Sequence, residues 1–190
     1  MSNEGTGKIF VMSAPSGGGK TTLAAEVLAQ NPNLARSVSM TTRSPRPGEK
    51  SGDDYVFVSE PEFEKVRKQD GFLESATVFG RHYGTPKKFV EDQLRKGKDV
   101  LLVIDVQGAM AVKKKRPDAV LIFVNPPSMK ELERRLRERK TDSEDAIQLR
   151  LKVARDEMAK SKEYDYRVTN DDLKKAAAET NAIIQNEKRR

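Results

Sequence analysis

Eight consecutive residues, Ala14-Pro15-Ser16-Gly17-Gly18-Gly19-Lys20-Thr21, have the types and spacing that hold a polyphosphate. The backbone N–H groups of such a glycine-rich turn converge on phosphate oxygens at a helix N-terminus. Lys20 is placed to reach the β- and γ-phosphates of a nucleotide, and the Thr21 hydroxyl to coordinate Mg²⁺, with Thr22 next on the helix. The usual pattern begins with Gly where this chain has Ala14, and alanine serves there if its φ is negative. A Ser/Gly linker ending in Gly-Lys-Thr is the plainer alternative. The flanks argue against it: an apolar run, Ile9-Phe10-Val11-Met12, precedes the turn and a helix-like stretch, 22–28, follows it.

A second group lies downstream. Arg43 and Arg46 are three apart and bracket Pro45, which suits a bidentate grip on a phosphate; Tyr55 and Tyr83 could add hydroxyl donors. Standing alone, the segment also reads as a basic surface loop. Arg135 and Arg139 are four apart and share a helix face beside Leu132 and Leu136, the pattern of a salt-laced amphipathic helix. His82 is the one histidine, and nothing in the pattern asks it to be a base.

These groups need a frame. The 190 residues suit one domain with inserted lobes. The alternation of elements predicts strands at 8–13, 37–41, 54–58, 72–79, 99–104, 119–124 and 166–169. Helices are predicted at 20–30, 60–69, 86–96, 107–115, 128–138, 142–161 and 171–187. Apolar strands separated by helices argue for an α/β fold with a parallel sheet covered on both faces. The β-rich stretch 37–84 breaks the alternation and reads as an inserted lobe. The absence of Cys excludes a disulfide framework. No run nears the ~20 apolar residues of a membrane span, and 1–7 lacks a signal-peptide core. The expectation is a soluble cytoplasmic protein with no membrane partner.

The net charge of +7, from 36 basic and 29 acidic residues, points to an anionic ligand. Nucleic acid along a basic face and a small phosphorylated substrate compete. Most cations alternate with acids, and the one pure run, Lys113-Lys114-Lys115-Arg116, reads as a helix end with cations at the negative dipole. No nucleic-acid partner is therefore expected, and the oligomeric state is left open.

The motifs together resemble guanylate kinase of the bacterial type. They are Ser13-Ala14-Pro15-Ser16-Gly17; Thr41-Thr42-Arg43-Ser44-Pro45-Arg46-Pro47-Gly48-Glu49; Asp54-Tyr55; His82-Tyr83-Gly84-Thr85; Ile104-Asp105-Val106-Gln107-Gly108; Pro126-Pro127-Ser128; and Asn170-Asp171-Asp172. The resemblance runs over about 8–187. It implies a P-loop kinase that uses ATP, GMP and Mg²⁺. Its parts would be a core (about 8–36, 86–126 and 162–187), a GMP-binding lobe (about 37–85) and a helical lid (about 127–161). It implies that Arg43, Arg46, Tyr55 and Tyr83 hold the GMP phosphate, and that Ser39, Glu74, Thr85 and Asp105 lie on the guanine side. Arg135, Arg139 and Arg150 would close over the phosphates beside Lys20, and Asn170 would lie near the adenine of ATP.

The chemistry suits those roles. Guanine presents two donors on one edge, N1–H and the N2 amino group, and one carboxylate such as Glu74 can accept from both; adenine presents an acceptor there. The strand pattern alone would leave Glu74 facing solvent. A phosphate nucleophile is already ionised, so positioning and electrostatics suffice without a general base. Two residues depart from the resemblance: Val103 where an acid is frequent, and Lys140 where Gly is frequent. Two other readings remain: a related kinase for a ribose phosphate, which the guanine-side residues oppose, and a catalytically dead phosphopeptide-binding module, which the retained Lys20 and arginines oppose.

Overall fold

The apolar runs become the strands of one buried parallel sheet. The computed structural model describes residues 7–138 and 143–189. The sheet is built from β1 (Ile9–Ser13), β2 (Leu34–Ser37), β7 (Asp99–Val103), β8 (Val120–Asn125) and β9 (Tyr166–Thr169), in the order β2-β7-β1-β8-β9. β1 is central: Phe10 registers against Leu101 on one side and Val120 on the other. Its five residues are all buried, as a strand covered on both faces must be.

Alternate side chains along the strands feed two cores. Phe10, Met12 and Ile122 pack with α1 (Lys20–Ala29) and α7 (Leu173–Lys188). Val11, Leu102 and Phe123 pack with α3 (Lys87–Arg95) and α4 (Val106–Lys115). Each fully buried Leu, Ile or Phe contributes about 1.5–3 kcal/mol.

A second, four-stranded sheet is ordered β4-β3-β6-β5, from β3 (Met40–Thr41), β4 (Val56–Phe57), β5 (Phe72–Val78) and β6 (Arg81–Pro86). It carries α2 (Glu60–Lys68), whose Ser59–Glu62 capping box and Pro61 define its start. Helices α5 (Met129–Glu138) and α6 (Glu144–Ala159) bury a small core of their own, Leu132, Leu136, Ile147, Leu151 and Ala154.

The structure corrects three expectations. The strand expected at 37–41 is two strands in two sheets, since the chain leaves the parallel sheet after Ser37 and enters the second at Met40. Nothing in the local pattern marks that crossing; pairing with β7 and with β6 decides it. β6 was not expected at all, because Arg-His-Tyr-Gly-Thr-Pro lacks apolar alternation, yet it pairs along β5. The helix expected at 142–161 ends at Ala159 in a 3₁₀ turn, Lys160–Glu163, and its expected start lies outside the described residues. No helix among the described residues is long and apolar enough to cross a membrane.

Candidate functional site

The C-terminal ends of β1 and β7 point into one cleft of about 410 Å³, within the range of a ligand site. Open parallel sheets bind ligands at this edge. After β1 the chain turns through Ala14–Thr21. Gly17 and Gly19 have φ of +92° and +84°, values that favour glycine, whereas Ala14 is not among the positive-φ residues. The Gly18 N–H donates to the Pro15 carbonyl at 2.8 Å and tightens the turn. Packing is also tight there: a Cβ at Gly17 would sit 3.1 Å from Leu132 and Leu136 of α5. A Cβ at Gly19 would sit 2.4 Å from Asn170 Nδ2.

Lys20 opens α1, and its Nζ donates to the Ile104 carbonyl at 3.1 Å. Burial lowers its pKa, against the pull of Asp105, Glu157 and Glu74. Thr21 and Thr22 are exposed on the first turn. From α6, Arg150 Nη1 donates to Ser16 Oγ at 2.8 Å, and its guanidinium lies 5.0 Å from the Phe79 ring centroid. Phe79 (φ +49°) and Gly80 (φ +73°) form the two-residue turn of the β5–β6 hairpin, the geometry that matches strand twist. That turn carries an exposed aromatic ring to α6.

The other end of the cleft belongs to the second sheet. Arg43 pairs with Glu49 at 2.9 Å, and Glu49 also accepts from the Arg46 backbone N–H at 2.7 Å. Arg43 lies 5.3 Å from the Tyr55 ring centroid, and Tyr55 meets Tyr83 edge-on at 5.9 Å. Burial raises the Tyr55 pKa, and the neighbouring Tyr83 adds to that, so its hydroxyl stays a donor.

Glu74 is only 3% exposed. A bulge between Phe72 and Glu74 buries three successive side chains on β5: Phe72 stacks on Phe63, Leu73 enters the sheet core, and Glu74 faces the cleft. Thr85 Oγ1 donates to Glu74 Oε1 at 2.6 Å. Burial pushes the Glu74 carboxyl up to about 7, against that hydrogen bond, and Asp105 adds to the rise. Asp105 caps α4, its Oδ1 accepting from Gln107 and Gly108 N–H at 2.8 and 3.1 Å.

A family model described as guanylate kinase matches residues 6–187. A guanylate kinase of Rubrobacter xylanophilus is 50% identical over 179 residues, 94% of each chain. One from Thermus thermophilus is 51% identical over 184 residues, 97% of this chain and 83% of its own. The crystal structure of guanylate kinase from Anaplasma phagocytophilum superposes with a TM-score of 0.82 at 40% identity, covering 96% of this chain and 87% of its own.

The chain belongs to the guanylate kinase family.

Against that family frame, the cleft brings together Ala14 through Thr22, Ser39, Arg43, Arg46, Tyr55, Glu74, Tyr83, Asp105 and Arg150. Three expected residues are not on its wall. Thr85 stands behind Glu74 and orients it. Arg135 is paired with Glu131 at 2.8 Å and donates to the Asn170 carbonyl at 3.2 Å. Asn170 braces the loop through Nδ2 to the Gly18 carbonyl at 3.2 Å. Arg139 and Lys140 lie outside the described residues. Val103 ends β7 on the cleft wall. His82 points away from Tyr83 along the strand and stacks on Phe63 at 5.4 Å.

Three contributors to this guanylate kinase site were missed. Gly108 gives Glu74 its room, since a Cβ there would lie 2.7 Å from Glu74 Oε2; a glycine in a helix's first turn was the available signal. Glu157, on α6, lines the cleft with Oε2 buried and unpartnered. Burial pushes its carboxyl up to about 7 despite Lys20, and Asp105 opposes its ionisation further. It sits seven residues after Arg150, two turns along the same face, which a helical reading of α6 could have shown. Arg36, on β2, also lines the cleft, and no sequence signal marked it.

Proposed function

We propose that the chain carries out its family's reaction, transfer of the γ-phosphoryl group of ATP to GMP to give ADP and GDP, with roles divided along the cleft. The loop 14–22 cradles the ATP phosphates by its backbone N–H groups, and Lys20 addresses the β- and γ-oxygens. Arg43, Arg46, Tyr55 and Tyr83 hold the GMP phosphate. Glu74 accepts from guanine N1–H and N2–H, oriented by Thr85, with Ser39 and Asp105 beside it. Arg150, with Arg135 and Arg139 from the lid, stabilises charge on the transferring group.

Mg²⁺ suits this donor set. No cluster of three His, Cys, Asp or Glu that could hold a metal ion occurs among the described residues, and Mg²⁺ characteristically takes few protein ligands plus phosphate oxygens. Thr21 would hold it, and its charge would neutralise the β- and γ-oxygens when bound. The two sheets and the α5–α6 pair support a division into core, lobe and lid. The cytoplasm is the compartment this reading assigns, with ATP and GMP as partners and no nucleic acid.

The observation that carries the reading is a single cleft walled both by the polyphosphate loop and by a buried carboxylate with two arginines beyond it. A coupled ADP-release assay with GMP, AMP, CMP, UMP and ribose phosphates tests it. GMP is expected to be used far better than the others, and equal use of AMP would overturn it.

A further inference from the structure

Arg36 stands in the wall of the cleft as a cation without a counter-ion among the described residues. It stands on β2, in the core sheet, just before the chain crosses to the second sheet. Its Nη2 donates to the Asp54 carbonyl at 3.3 Å, and its Nε is buried with no hydrogen-bond partner. Among the described residues no carboxylate forms an ion pair with it, whereas Arg43 is paired with Glu49. A buried charged donor left unsatisfied is costly, and such groups are retained where an anion completes them. The one side-chain hydrogen bond of Arg36 among the described residues is long and to a neutral carbonyl. A phosphate dianion is the stronger acceptor for a guanidinium fork.

The location narrows which anion. Asp54 precedes Tyr55, and the Arg36 charge reaches the Tyr55 hydroxyl, opposing the rise that burial imposes on it. Arg43 acts on the same hydroxyl. Arg36 therefore shares an electrostatic neighbourhood with Tyr55 and Arg43, at the proposed acceptor-phosphate end of the cleft.

We propose that Arg36 is a further ligand for the phosphate of the acceptor nucleotide, donating from the core sheet toward the group that Arg43 and Arg46 approach from the lobe. This rests on the function proposed above. A phosphate gripped from both sides ties lobe to core, so Arg36 would act on GMP capture more than on the transfer step.

The test is calorimetric titration of GMP and of guanosine into the wild-type protein and Arg36→Gln, with steady-state kinetics alongside. The expected result is GMP binding weakened about tenfold, guanosine binding unchanged and kcat within about twofold. Equal weakening of GMP and guanosine would assign Arg36 a structural role and overturn the proposal, as would unchanged GMP binding. Should Arg36→Gln melt early, Arg36→Lys keeps the charge and loses the fork. GMP is then expected to weaken about threefold with guanosine again unchanged, and any other pattern overturns the proposal. Wild-type GMP binding compared with AMP reports separately on the proposed function.

Discussion

The two ends of the cleft each hold a carboxyl group that burial raises to about 7, and in the proposed reaction they would face opposite ligands. At the proposed acceptor end Glu74 would look toward a base that offers donors. At the proposed donor end Glu157 lines the cleft with the loop proposed to receive phosphates. Burial raises both to about 7, in each case with Asp105 adding repulsion. The same physical cause therefore serves recognition in opposite ways. In the proposed reaction guanine binding would need Glu74 ionised, while a polyphosphate would be best received with Glu157 neutral. The rest of each neighbourhood follows suit: Glu74 has a hydroxyl donor in Thr85, and Glu157 has an ammonium in Lys20.

The largest effect should come from removing the cation at the donor end. Lys20→Ala is expected to lower turnover by about a thousandfold or more, while GMP binding stays within about twofold. Steady-state kinetics with GMP calorimetry check this; near-normal turnover would dissolve the distinction between the two ends.

Glu74→Gln comes next. An amide turns one donor toward a guanine donor, so kcat/KM for GMP should fall about tenfold or more while AMP changes little. Arg43→Ala should lower GMP and AMP alike, because both carry the same phosphate. Equal loss of both nucleotides in Glu74→Gln would remove Glu74 as the base reader.

The pH profiles sharpen the contrast. The ionised form of Glu74, proposed to bind guanine, prevails above a pKa of about 7. As pH falls from 8 to 6 its proton must first be displaced, so KM for GMP should rise about tenfold. The form of Glu157 that tolerates phosphates exists below about 7. As pH rises from 6 to 8, KM for Mg-ATP should rise about threefold, a smaller change because the effect is through space. Glu74→Gln should flatten the first profile only and Glu157→Gln the second only. The ligands' own titrations are common to wild type and variant, so parallel profiles would count against both assignments.

The smallest effect concerns support. Gly108→Ala places a methyl carbon against the free end of the Glu74 side chain, which can swing aside. Melting temperature should move by no more than about 2 °C, while KM for GMP rises about threefold. A large loss of stability without a change in KM would show that Gly108 serves the helix rather than the carboxylate.

The sequence by itself determined the parallel sheet, because 9–12, 100–103 and 120–124 are apolar in unbroken runs that burial on both faces explains. It also determined the phosphate loop, whose chemistry is local: eight residues, three glycines and a cation between a strand and a helix. The acceptor side was legible through its resemblance to a family, since Arg43, Arg46 and Tyr55 lie in a loop whose partners are distant in the chain. Only the tertiary structure decided what Glu74 is. On its strand it alternates like a solvent-facing residue; a bulge, a hydroxyl from β6 and a glycine from α4 bury it. Arg36 had no mark in the sequence, and the marks on Gly108 and Glu157, a glycine in a first helical turn and a place two turns beyond Arg150, did not say what each meets. Each matters through a neighbour from another element, and the patterns of residue type along one element carry no information about which neighbour that is.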